Sequence, residues 1–154
     1  MLAFLCVLIM VALDQLVKYW TVSALKPAGS IPIWENVFHL TYVENRGAAF
    51  SILEGQKLFF VAVTIFVLAV IYIAFRKGWI MHFTGRWALL MVAGGAIGNV
   101  IDRIFRGFVV DMFDFCWINY PVFNVADIFV VCGGILLIYY VMFKHPDPEK
   151  KNDH

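Results

Sequence analysis

The chain has 154 residues, 62% of them apolar and 15% charged, with a formal net charge of +1 and a mean hydropathy of +0.82. A soluble domain of this size leaves too much surface exposed to hide so much apolar area, so the composition excludes an ordinary soluble globule and points to one integral-membrane domain over residues 1–154. The near-neutral charge gives no footprint for a nucleic-acid partner, and three cysteines (Cys6, Cys116, Cys132) without CxxC spacing give no disulfide framework.

In chain order, the first apolar run predicts a membrane span over residues 2–20. It is read as uncleaved: no basic residues precede it, and Asp14 and Lys18 lie where a small-residue cleavage site would be needed. Asp14 and Lys18 are four apart on a helix and share a face, as an ion pair or as a brace for a site. In the loop that follows, Val37 to Val43 is rich in β-branched and aromatic residues. It predicts a small sheet or hairpin that turns at Glu44-Asn45-Arg46-Gly47 and runs on into Ala48-Ala49-Phe50.

The second span is predicted over 58–76 and the third over 86–103. The third has a short apolar core and must borrow flanking residues to cross a bilayer. Its Gly94, Gly95, Ala96 and Gly98 form a small-residue face suited to close helix packing. Asn99 is polar inside an apolar helix and needs a partner, while Asp102 and Arg103 read as a surface ion pair or snorkelling end. The loop from 103 to 120 is aromatic (Phe105, Phe108, Phe113, Phe115, Trp117, Tyr120) and predicts a short interfacial helix near Phe113 to Ile118. The fourth span is predicted over 121–143, followed by a solvated, disordered tail over 144–154. Arg76, Lys77 and Arg86 join spans two and three, and Lys144, Lys150 and Lys151 follow span four, so the positive-inside rule puts both termini and that hairpin in the cytoplasm.

Ionisable residues inside a membrane are costly and point to function. The run from Gly94 to Asp127 holds Asp102, Asp111, Asp114 and Asp127. Two adjacent carboxylates sharing one proton can cut a peptide bond: one removes a proton from water while the other polarises the carbonyl. Asn124 and Asp127, three apart, face the same way near the start of span four, and Asn124 suits a helix cap. Spacing barely separates Asp111 from Asp114, although Val109 and Val110 draw Asp111 toward the bilayer. The four histidines lack HExxH spacing, and no GxSxG, P-loop or dinucleotide fingerprint occurs. No metal or cofactor is therefore expected. The alternative from another class is a small proton-coupled transporter relaying protons through Asp14, Asp102 and Asp127.

Five segments together resemble the bacterial lipoprotein signal peptidases, or type II signal peptidases. They are Asp14-Gln15-Leu16-Val17-Lys18, Tyr42 to Phe50, Gly98 to Arg103, Gly107 to Asp111, and Phe123 to Asp127, in the family's order. The resemblance implies a four-helix membrane fold with an extracytoplasmic β-cradle and, in the aromatic second loop, a mobile lid helix. It implies an aspartic endopeptidase of the bacterial cytoplasmic membrane, with its site near the outer face. Such an enzyme removes signal peptides from prolipoproteins before a diacylglyceryl-bearing cysteine, acts as a monomer among membrane lipid, and is inhibited by globomycin. It implies a catalytic pair at Asp111 and Asp127, leaving Asp102 and Asp114 non-catalytic. It places Asn45, Gly47, Asn99, Arg103 and Asn124 along the substrate cleft, with Arg103 on a substrate carbonyl, and Asp14 and Lys18 in support. Glu44 and Arg46 depart from the family's usual shorter or neutral residues, which bears on substrate preference.

Overall fold

The computed structural model describes residues 2–47, 55–118 and 120–144; Ala48-Ala49-Phe50 and the tail from 145 onward lie outside the described residues. Among the described residues, four helices are long and apolar enough to cross a membrane: α1 (Leu2–Ala28), α2 (Lys57–Lys77), α3 (Phe83–Phe105) and α4 (Val125–Phe143). A three-stranded antiparallel sheet of β1 (Ser30–Trp34), β2 (Phe38–Asn45) and β3 (Val109–Asp114) sits at one end, with β2 in the middle. Helices suit these apolar runs because each satisfies its backbone internally, which hydrocarbon demands. Phe66 and Leu58, 69% and 82% exposed, face outward from α2, a surface that fits lipid and not water.

Several boundaries differ from the sequence reading for identifiable reasons. The first helix runs past Trp20 to Ala28 through a π-helical turn at Thr21–Leu25, whose Leu25 is buried with Val110 and Met112 beneath the sheet. That contact anchors the extension. The third helix does borrow flanking residues: its 23 residues give a rod of about 34 Å, enough for a bilayer. The fourth starts at Val125, not Pro121, because Asn124 is its N-cap.

A hairpin is present, but it turns at Glu35–Val37, between β1 and β2, and not at Glu44–Gly47 as the sequence reading had it; β2 continues through Glu44 and Asn45. The second loop supplies an unforeseen third strand. Helix α3 ends at Phe105, and just beyond its cap Gly107, whose φ of 84° is readily adopted only by glycine, turns the chain toward β3. Of the short helix expected near Phe113 to Ile118, a single 3-10 turn remains at Cys116–Ile118, since Phe113 and Asp114 are held in the sheet.

Helix α3 is the hub, packed against α1, α2 and α4. Its small residues permit this. A Cβ on Gly95 would overlap the Ala126 carbonyl oxygen, and one on Gly98 would lie 2.6 Å from an Asp14 carboxylate oxygen. Gly95→Ala is therefore expected to force α3 from α4 and destabilise the fold by about 1–3 kcal/mol or more. Gly134→Ala, with nothing within 4 Å of the new methyl, is expected to be near neutral. Thermal unfolding of the two variants in detergent checks this; equal midpoints would refute it.

Candidate active site

The start of α4 is built by a reciprocal cap. The Asn124 side-chain oxygen accepts from the Asp127 backbone N–H at 2.9 Å, and the Asp127 Oδ2 accepts from the Asn124 backbone N–H at 3.1 Å. Asp127 thus faces the end of the helix and not its lipid side, where the helix N-terminus also favours negative charge.

Asp111 arrives from the sheet. The preceding residue, Val110, donates its backbone N–H to Asp102 Oδ2 at 3.1 Å, tying β3 to α3. Asn45, on β2 two residues beyond Val43, the register partner of Asp111, donates Nδ2 diagonally to Asp111 Oδ2 at 2.9 Å, and Asn124 donates Nδ2 to Asp111 Oδ1 at 2.6 Å. One asparagine therefore caps the helix bearing Asp127 and holds the carboxylate of Asp111. Asn99 finds the partner it needed, donating Nδ2 to Asp127 Oδ1 at 2.7 Å. Both carboxylates line one pocket of about 340 Å³ with Asn45, Gly47, Asn99 and Arg103. Burial, and then the charge of Asp127, push Asp111 up to about 7.

Beneath the pocket lies a buried charge cluster. Lys18 Nζ spends its three protons on Asp14 Oδ2 at 3.0 Å, Asp102 Oδ2 at 3.0 Å and Asn99 Oδ1 at 2.9 Å. The expected Asp14–Lys18 pair is present and also acts as a brace: Asp14 Oδ1 accepts the backbone N–H of Ala126 at 2.9 Å, capping α4 from another helix. The surface reading of Asp102 with Arg103 is corrected. Asp102 is fully buried and pairs with Lys18 and Arg106. The four-residue spacing of Asp102 and Arg106 was a signal for that second pair. Arg103 instead donates to the Gly47 carbonyl at 3.1 Å and stacks over the Phe60 ring, 4.6 Å from its centroid.

Gln15, given no role of its own by the sequence reading, reaches Asp14 Oδ2 and the Gly98 carbonyl, each at 3.1 Å. Its signal was an uncharged polar residue beside Asp14 in an apolar run. Asp114 lies three residues beyond Asp111 and so on the opposite face of β3, half-buried and accepting from Thr41 at 2.8 Å. The carboxylates of a would-be proton relay, Asp14 and Asp102, meet on one lysine instead of being spaced through the membrane.

A family model described as Signal peptidase (SPase) II matches residues 6–143. The chain is 46% identical over 145 residues to a lipoprotein signal peptidase of Clostridioides difficile (strain 630), covering 93% of this chain and 96% of that one. It is 46% identical over 146 residues to a lipoprotein signal peptidase of Caldanaerobacter subterraneus subsp. tengcongensis, covering 93% and 97%. The fold superposes on a bacterial membrane enzyme structure determined by the in meso method at 2.3 Å resolution, with a TM-score of 0.86 and 30% identity, covering 99% of this chain and 93% of that one. A second such structure, at 1.9 Å resolution, gives a TM-score of 0.81 at 32% identity, covering 92% and 93%.

Proposed function

The chain belongs to the signal peptidase II family, the lipoprotein signal peptidases, and from that premise we propose that this multi-pass membrane protein removes the signal peptide of prolipoproteins by aspartic chemistry at Asp111 and Asp127. The observation that carries this reading is the shared asparagine: Asn124 orders both carboxylates at the rim of one pocket.

The pair divides its labour by environment. Asp111, pushed up to about 7, carries the proton, while Asp127, at a helix N-terminus and accepting from two N–H groups, is the base. Water attacks the scissile carbonyl carbon as Asp127 takes its proton and Asp111 donates to the carbonyl oxygen. The tetrahedral intermediate then collapses. The leaving nitrogen takes the proton from Asp127, and the hydroxyl proton returns to Asp111, which restores the pair. Arg103, steadied by Gly47 and Phe60, receives a substrate backbone carbonyl at the pocket rim. Asn45, Asn99 and Asn124 hold the carboxylates, and Asp14 and Lys18 hold the asparagine and the helix end.

The substrate is a precursor whose cysteine bears diacylglyceryl. Its lipid confines the bond to the membrane surface before the enzyme acts, a recognised source of rate. Basic residues Arg76, Lys77 and Arg86 put the α2–α3 hairpin and both termini in the cytoplasm, so the sheet and the pair stand at the outer face of the bacterial inner membrane. The enzyme acts as a monomer. Cleavage of a diacylglyceryl-modified precursor by the purified protein, with and without globomycin, tests the whole reading. An intact precursor, or cleavage insensitive to globomycin, would overturn it.

The proton on Asp111 sets a pH dependence. Activity is expected to fall by about tenfold per pH unit once the pH is well above 7, because the general acid is lost. The hydrogen bond from Asn45 favours the ionised form of Asp111, so Asn45→Ala raises its pKa further. The alkaline limb of kcat/KM should then move to higher pH even as the rate drops. A limb that stays put or moves to lower pH would contradict the assignment of the acid.

A further inference from the structure

On the face of the sheet away from Asp111, the geometry points to a site for a single divalent transition-metal ion of the zinc class, held by His39, Asp114 and Cys116. The sheet makes this cluster. His39 on β2 is paired in register with Asp114 on β3, and the 3-10 turn that begins at Cys116 folds the thiol back over them. A ring nitrogen, a carboxylate oxygen and the sulfur lie within 4.8 Å of one another. A tetrahedral zinc ion, with bonds of about 2.0–2.3 Å, needs its ligand atoms about 3–4 Å apart, so small side-chain rotations close the site.

Three observations favour an ion here. His39 Nε2 lacks a hydrogen-bond partner, alone among the buried side-chain nitrogen and oxygen atoms of the described residues. Such an atom is costly unless something binds it. Thr41 donates to Asp114 Oδ2 at 2.8 Å, and Ser30 lies 2.9 Å from Thr41, so the carboxylate is oriented from behind as ligating carboxylates commonly are. The mixed nitrogen, oxygen and sulfur set suits a borderline-soft ion and not calcium or magnesium. All three residues are half-buried, so a water molecule fills the fourth position. On binding, the Cys116 thiol releases its proton to solvent and a metal–thiolate bond forms.

The ion would tie the Cys116–Ile118 turn to the sheet. Phe115 and Ile118, on either side of the thiol, wall an apolar groove that begins at Asp127 and continues along α4 past Ile128 and Val131. The site is thus a clip that fixes one wall of the groove beside the reaction centre, distinct from the peptidase chemistry.

Titration of the metal-free, full-length protein in detergent with cobalt(II) tests this, followed by zinc competition. One equivalent should bind, with a thiolate-to-metal charge-transfer band and the intense visible bands of a tetrahedral ion. Cys116→Ser should abolish the charge-transfer band, and His39→Gln and Cys116→Ser should each weaken binding at least tenfold. Zinc should raise the unfolding temperature of the parent but not of these variants. A His145→Gln/His154→Gln variant separates the site from the tail and should bind like the parent. Loss of binding in that tail variant alone, or Cys116→Ser and His39→Gln affinities within twofold of the parent, would overturn the site.

Discussion

Asp127→Asn and Asp111→Asn are each expected to reduce cleavage of a diacylglyceryl-modified precursor by about 10³-fold or more, while the protein should still insert and still bind globomycin. The size follows from role. Loss of the general base or of the general acid removes a proton transfer worth about 10²–10⁴-fold, and each member also sets the protonation of the other. An amide at 127 cannot take a proton from water; one at 111 cannot give one up to the carbonyl oxygen as an acid does. The structural cost is smaller but real. Both oxygens of Asp127 accept N–H groups, from Asn99 and from the backbone of Asn124, and both oxygens of Asp111 accept from amides. Asparagine offers one acceptor, so one donor goes unpaired in each variant, at about 1–3 kcal/mol. Asn45 cannot turn its amide to compensate, because its Oδ1 already accepts from Gly47 N–H at 3.0 Å. Globomycin binding is therefore the control that separates a dead site from a broken one. Asp114→Asn, on the other face of the strand, should keep cleavage within a few-fold of the parent. If both dyad variants turn over within threefold of the parent, aspartic chemistry at this pair is refuted.

The spans and the polar residues of the pocket were legible because each is expensive where it stands. Nothing but a membrane tolerates α2, and nothing but a partner tolerates Asn99 or Asp14 in hydrocarbon. Less legible was whatever depends on residues far apart in the chain. Strand β3 reads Val-Val-Asp-Met-Phe-Asp and is buried over its first four residues, so it lacks the alternation that marks a half-exposed strand. Its partner, β2, lies more than sixty residues earlier, and their register shifts at a bulge between Leu40 and Val43 that no local pattern announces. The start of the fourth span falls at Pro121 in the sequence reading because Pro121, Val122 and Phe123 place apolar residues ahead of the cap Asn124. Those residues instead run along the pocket rim, and Phe123 bridges to Phe113 of β3. The ambiguity between Asp111 and Asp114 also dissolves only in three dimensions. Alternation along β3 sends one carboxylate to Asn124 and the other to Thr41.

Lys18→Met should be the most destabilising single change outside the pair. Lys18, Asp14 and Asp102 are all fully buried, and the ammonium lies 3.0 Å from each carboxylate. Removing it leaves two buried anions with one remaining cation, Arg106, bound to Asp102 alone. Breaking a buried pair in this way costs about 3–5 kcal/mol, because the orphaned charge keeps its desolvation penalty. The damage reaches the reaction centre along a short path. Asn99 Oδ1 loses the Lys18 proton that fixes its amide, and the same amide holds Asp127 Oδ1. Activity should therefore fall by at least tenfold even in the fraction that folds, with kcat affected more than KM. Arginine is no remedy, since a planar fork cannot point three donors at three acceptors around a compact ammonium's position. The discriminating variant is Asp14→Asn/Lys18→Met, which removes an anion together with the cation. If the cluster is an electrostatic unit, the double variant loses less stability than the sum of the single losses, by about 2 kcal/mol. Additive losses in denaturant unfolding, or a Lys18→Met protein within about 0.5 kcal/mol of the parent, would mean that the lysine merely fills space, and that Asn99 owes its orientation to Asn124 alone.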